Sequence, residues 1–136
     1  MKLVTLVVAS TVSLVSHQPN WSYEDKGRAA VLTEPELTEA PLRLACGERD
    51  FLEIRILAGP RSEVTLVGPS KIALTIRGSS SSDGRVVSQV YFRSLTAEFL
   101  RDGGDVEVIG ATRYRLHLDG ARQVLQTLES SCLAVS

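Results

Sequence analysis

From residue 21 onward the chain alternates between apolar and polar positions, and alternation of this kind predicts strands. Leu42-Arg43-Leu44-Ala45-Cys46 puts Leu42, Leu44 and Cys46 on one face. Phe51–Leu57 puts Leu52, Ile54 and Ile56 on one face, with Glu53 and Arg55 opposite. Residues 47–50 between them are a turn, so the two segments are expected as a hairpin. Residues 64–67 form a short strand closed by Gly68-Pro69. Residues 72–77 alternate again, with Ile72, Leu74 and Ile76 expected inward. The serine- and glycine-rich stretch 78–84 reads as a flexible hairpin tip that leads into a strand over 85–92. Residues 106–109 and 113–118 form a last pair around Gly110. In the second of these, Tyr114, Leu116 and Leu118 share one face, and Arg113, Arg115 and His117 the other. Trp21–Glu24 and residues 26–33 are earlier strand candidates.

Two segments carry a helical period instead. Residues 94–101 begin with Ser94 as a candidate N-cap, carry apolar Leu95, Phe99 and Leu100, and stop at Asp102-Gly103-Gly104. After Asp119, expected as a cap, Ala121, Val124, Leu125 and Leu128 fall at i, i+3, i+4 and i+7, the stripe of a helix packed on a core. The fold class that follows is mainly β (α+β): an antiparallel sheet or sandwich of about seven or eight strands, one short helix and one C-terminal helix.

The beginning of the chain differs. Met1-Lys2 is followed by a charge-free apolar run to Ser16, the layout of a secretory signal and too short to span a bilayer comfortably. The expected organisation is a signal peptide over residues 1–16 and a single β-rich domain over 17–136. The same run also alternates, so its retention as a strand is the competing expectation. Export would place the protein in the periplasm or outside the cell, where Cys46 and Cys132 are free to pair. Cys46 ends a strand whose Leu42 and Leu44 face inward, and Cys132 follows the C-terminal helix. Both sulfurs are therefore directed into one layer, and a disulfide between them is expected. In the chain-entropy picture, closing a loop of this size stabilises by about 4 to 5 kcal/mol.

Composition narrows the functional classes. Fifteen Lys and Arg stand against 16 Asp and Glu, for a net charge of −1, with no basic tail. Neither a nucleic-acid partner nor a polybasic membrane anchor is expected. With no second long apolar run, stable membrane insertion after cleavage is not expected either. One Trp, three Tyr and three Phe are too few for an aromatic stacking platform.

Candidate chemistry is sparse. Two cysteines this far apart lack the paired spacing of a zinc site, so no metal is expected. Gly68-Pro69 and Gly103-Gly104 read as turn punctuation, and no cofactor is expected. No serine sits in a strand-to-helix nucleophile turn. Glu34, Glu36 and Glu39 fall in one proline-bounded loop and read as solvated. His117 and Asp119 would share a strand face and make a candidate base pair, but both are expected in solvent. Arg43, Arg49, Arg55 and Arg61 are interleaved with Glu48, Glu53 and Glu63, which reads as a mixed, solvated sheet face. Asn20-Trp21-Ser22 matches a glycosylation acceptor triplet. No catalytic residue is assigned.

In the order of its motifs the chain resembles the VasI-like periplasmic proteins associated with type VI secretion and their bacterial and phage relatives. The leader is followed by Trp21-Ser22, then by the strand Leu42-Arg43-Leu44-Ala45-Cys46, then by Ala73-Leu74-Thr75-Ile76-Arg77, in which the family's Tyr is replaced. Ala97-Glu98-Phe99-Leu100 follows in a helix, and the chain closes with a strand, a glycine-started helix and Cys132. The aspartate-glycine and tryptophan that follow the third motif in such proteins are replaced here by residues 78–84. The resemblance implies a secreted β-rich domain without a known reaction. The expected function is an exported, non-enzymatic protein-binding or accessory module at the cell envelope. The alternatives are a virion or appendage component with residues 3–15 retained as a strand, and an envelope hydrolase using His117.

Overall fold

The computed structural model describes residues 20–133. Trp21–Glu24 (β1), Ala29–Leu32 (β2), Leu42–Cys46 (β3) and Phe51–Leu57 (β4) form a continuous antiparallel meander. Arg85–Tyr91 (β8) and the two-residue Ser79–Ser80 (β7) complete this six-stranded sheet in the order β1-β2-β3-β4-β8-β7. Glu63–Val67 (β5), Ala73–Arg77 (β6), Asp105–Ile109 (β9) and Arg113–His117 (β10) make a second, four-stranded sheet in the order β10-β9-β5-β6. Two helices, Leu95–Asp102 (α1) and Ala121–Leu133 (α2), pack against the pair. The molecule is thus mainly β, two antiparallel sheets with two helices.

The expected periodicity decides what is buried. In β4, Leu52, Ile54 and Ile56 are fully buried, while Glu53 and Arg55 sit half-buried on the opposite face. Register places Leu42 opposite Ile56, Leu44 opposite Ile54 and Cys46 opposite Leu52, so like faces meet across the hairpin. The second sheet answers with Val64, Leu66, Ile76, Val106, Val108 and Leu116, and one aliphatic core fills the space between the layers.

The chain changes sheets at Gly78. A Cβ there would lie 2.0 Å from the Val87 carbonyl oxygen, so only glycine permits the approach. Ser79 and Ser80 then pair with Val87 and Val86. The stretch expected as a flexible tip is therefore partly strand. Beyond it, the Ser81 hydroxyl bonds to Asp83 and the Arg85 backbone, closing the turn.

Ser94 caps α1 as expected, its Oγ accepting from the Ala97 N–H at 3.1 Å, and Gly103, at φ 70°, ends the helix. In α2 the stripe Ala121, Val124, Leu125 and Leu128 is buried, with Cys132 continuing it. Cys46 and Cys132 form a disulfide with Cα atoms 5.4 Å apart, joining α2 to β3. Three expectations need correction. Cys132 lies inside the last turn of α2 and not beyond it. Gly120, whose carbonyl accepts the first helical bond from Val124, starts α2 in place of Asp119. Ile72 is 62 % exposed, because Lys71 at φ 70° turns the chain just before β6 begins at Ala73.

The expected signal peptide, and the competing strand over 3–15, lie outside the described residues. Among those described, no helix is long and apolar enough to cross a membrane.

Candidate binding groove

Helix α1 runs over the end of the four-stranded sheet nearest the β5–β6 turn. Its Leu95, Glu98, Phe99 and Asp102 face Gly68 and Pro69 of that turn, Ile72 to Leu74 at the start of β6, and Val106. The space between them is an open groove of about 400 Å³. Its construction follows from the helical period: Ala97 and Leu100 turn into the core, which leaves Leu95, Glu98, Phe99 and Asp102 on the other side. Gly68 lies against the Phe99 ring, where a Cβ would stand 3.4 Å from the ring carbon Cζ, within ordinary contact.

The lips are apolar and wet. Leu95 is 84 % exposed, and Ile72, opposite it, is the next most exposed large apolar side chain among those described. Large apolar residues in contiguous exposed positions mark interaction sites more often than isolated ones do. The charged residues lining the groove are two carboxylates one helical turn apart, Glu98 and Asp102. Arg101 approaches Glu98 at 3.4 Å, and Arg122 reaches Glu98 at 3.9 Å and Asp102 at 3.7 Å.

A second cluster lies at the far edge of the same sheet. The Glu34 carboxylate, expected in solvent, is 3 % exposed. Its Oε2 accepts the His117 backbone N–H at 2.7 Å, and its Oε1 accepts from His117 Nδ1 at 2.7 Å. Asp105 stands 3.9 Å from Nε2. The hydrogen bond to Glu34 holds His117 above the usual imidazole range, and the charges of Glu34, Asp105 and Glu36 add to it. The partner of His117 is therefore Glu34 and not Asp119, which gives its backbone carbonyl to Trp21 Nε1 at 3.0 Å. This pairing was invisible in the sequence, where the two residues are far apart. The usable signal was a glutamate set two residues after a buried strand and just before Pro35.

The other expected site residues disperse. Glu36 and Glu39 are exposed, and Glu39 touches Arg85 at 3.5 Å. Arg43 and Arg55 face each other in register, each turned onto a carboxylate: Arg43 onto Glu24 at 3.5 Å, Arg55 onto Glu53 at 2.5 Å. Arg49 and Arg61 are exposed outside the strands, and Glu63 lies in the other sheet beside Arg77, so these charges do not form the single mixed sheet face expected. Asn20 gives its carbonyl to Thr33. Cys46 and Cys132 are consumed in the disulfide, leaving no free thiol among the described residues. Among these residues, too, no three His, Cys, Asp or Glu side chains gather to hold a metal ion.

Burial pushes the Tyr114 hydroxyl well above its ordinary range. It donates to the Leu57 carbonyl at 2.5 Å, tying β10 to the end of β4 in the other sheet.

No family model, curated protein or solved structure matches this chain.

Proposed function

We propose that this chain is an exported, periplasmic or secreted, non-enzymatic β-sandwich that binds another protein at the cell envelope. The observation that carries the reading is the groove between α1 and the start of β6, whose apolar lips Leu95 and Ile72 stand in water. Exposed apolar surface of this kind is stabilised by being covered. The Cys46–Cys132 disulfide supports export, because such bonds persist in oxidising compartments. His117 is held by Glu34 in a structural contact, which supports a non-enzymatic role. The resemblance to VasI-like periplasmic proteins belongs to the same proposal, as does removal of residues 1–16.

Two measurements test it. A photo-crosslinker at Leu95 should give a protein adduct in the envelope fraction, and one at Tyr23, exposed on β1, should not. Equal adducts from both positions, or none from Leu95, contradict the groove as the binding site. Intact mass of the isolated protein should show loss of residues 1–16; a chain beginning at Met1 or Lys2 contradicts export by that leader.

A further inference from the structure

β6 is an edge strand, and its hydrogen-bond parity shows which of its peptide groups lack a neighbouring strand. The Gly68 N–H donates to the Ile72 carbonyl and the Gly78 N–H to the Ser62 carbonyl. With β5 and β6 in continuous register from Glu63–Arg77 to Val67–Ala73, the even-numbered residues of β6 bond to β5. The N–H and C=O groups of Ala73, Thr75 and Arg77 therefore point away from the sheet. The Arg77 carbonyl is taken by Ser88 Oγ at 2.8 Å. Ala73 and Thr75 present two donors and two acceptors along an edge that no described strand joins.

Such an edge is ordinarily blunted by charge, proline, a bulge or shortness. The other three edges are: β7 has two residues, β1 ends in Glu24 beside Arg43, and β10 carries Arg113, Arg115 and the Glu34 contact. β6 reads Ala-Leu-Thr-Ile-Arg, and its bare half carries neither charge nor proline. That same half, Ala73 and Leu74, lines the groove beneath α1.

We propose that this edge and groove receive an extended peptide segment of the partner protein, added to β6 as a further strand and carrying an apolar side chain and a lysine or arginine. The inference rests on the binding-module reading above and names the chemistry of the partner. Successive side chains of an added strand alternate between faces. Those on the inner side meet Leu74, Leu95 and Phe99; those on the outer side lie beside Ala73 and Thr75 in solvent. Main-chain bonds to Ala73 and Thr75 supply affinity, and the groove supplies choice of side chain, the division found wherever a peptide completes a sheet. The basic residue follows from charge complementarity. Both charged lining groups are carboxylates, each of which accepts about four hydrogen bonds, and their contacts to Arg101 and Arg122 leave that capacity partly unused.

The test uses the disulfide-bonded chain and an eight-residue synthetic peptide of alternating valine and threonine ending in lysine. By NMR the peptide should shift Leu95 and Phe99 and slow amide exchange at Ala73 and Thr75. Replacing its lysine by glutamate should weaken binding about tenfold. N-methylation of alternate peptide residues should abolish binding in one parity and spare it in the other. Ala73→Pro should also abolish binding with the thermal midpoint unchanged, because proline is tolerated where an edge N–H faces solvent. Should that variant fail to fold, the N-methyl parity test decides the same point on the unaltered protein. Binding that shifts Leu95 but leaves Ala73 and Thr75 exchange unchanged, or is indifferent to N-methyl parity, overturns strand addition and leaves the groove as a side-chain site. Equal binding of the lysine and glutamate peptides overturns the charge assignment. Binding by none of the peptides overturns the strand mode, and only failure of the Leu95 cross-link as well removes the binding-module reading.

Discussion

The two edges of the four-stranded sheet obey the same parity and are finished in opposite ways. On β10, as on β6, odd-numbered residues turn their peptide groups outward; the Leu118 N–H donating to the Gly104 carbonyl fixes this for β10. There the outward positions are Arg113, Arg115 and His117, and the last gives both its N–H and its imidazole to Glu34. On β6 the outward positions are Ala73 and Thr75, followed by Arg77, whose carbonyl Ser88 covers. Burying a carboxylate is unfavourable unless its hydrogen bonds are made. At β10 the fold accepts that burden to cap the His117 N–H and leaves charge at Arg113 and Arg115 to guard the rest of the edge, whereas at β6 Ser88 caps one carbonyl and Ala73 and Thr75 carry no charge. The difference separates an edge guarded by charge and one capped N–H from one that is uncharged over Ala73–Thr75.

The largest effect should come from the frame that both edges share. Replacing Cys132 and Cys46 together by alanine removes the bond between α2 and β3 and should lower unfolding free energy by about 2 to 5 kcal/mol in denaturant titration. A change below about 1 kcal/mol would mean that packing of the α2 stripe holds the sheets without it. Next, Glu34→Ala strips the cover from β10 and should cost about 1.5 to 3 kcal/mol, the range for hydrogen bonds to a charged group. It should also bare the His117 N–H and leave Arg113 and Arg115 as the remaining guard of β10, visible as concentration-dependent association in sedimentation. Loss of stability without association would mean that Arg113 and Arg115 guard the edge by themselves.

Smaller effects sharpen the contrast. Tyr114→Phe removes the bond from β10 to the Leu57 carbonyl and should cost about 1 kcal/mol or somewhat more. The pH dependence has a definite sign. His117 is held above its ordinary value of 6.5, so its contribution is complete below that pH and is lost as pH rises through the folded value. The side chain is 41 % exposed and the effect correspondingly screened. Thermal midpoints should fall modestly as pH is raised above the ordinary imidazole value, less so in His117→Asn; an identical slope in the variant contradicts the assignment. At β6, by contrast, Leu95→Ser should move stability by no more than about 0.5 kcal/mol, because that side chain touches water and not the core.

Much of this architecture was legible along the chain. The strict alternation in β3 and β4, the Ser94 cap and the α2 stripe each carry their outcome locally, and the disulfide followed from where two of those elements end. Ile72 falls outside the strand although alternation runs through it, because the left-handed turn at Lys71 delays the start of β6 to Ala73. Residues 78–84 lack apolar side chains, yet the close approach at Gly78 lets two serines join a ladder through backbone bonds alone. The Glu34–His117 contact and the groove were hidden for one physical reason. Each is made by segments distant in sequence, and neither leaves a period or spacing behind. An acid among prolines and a leucine opening a helix look the same whether solvent or protein surrounds them.

Native-state amide exchange of the free protein measures most directly whether β6 is bare at Ala73 and Thr75 where β10 is capped at His117. The His117 N–H, held by a buried carboxylate, should be strongly protected, while those of Ala73 and Thr75 should exchange close to the rate of an unstructured chain despite lying within β6. Protection at Ala73 and Thr75 equal to that at His117 would show that the edge is already covered, and would contradict both the open edge and the partner strand proposed to fill it.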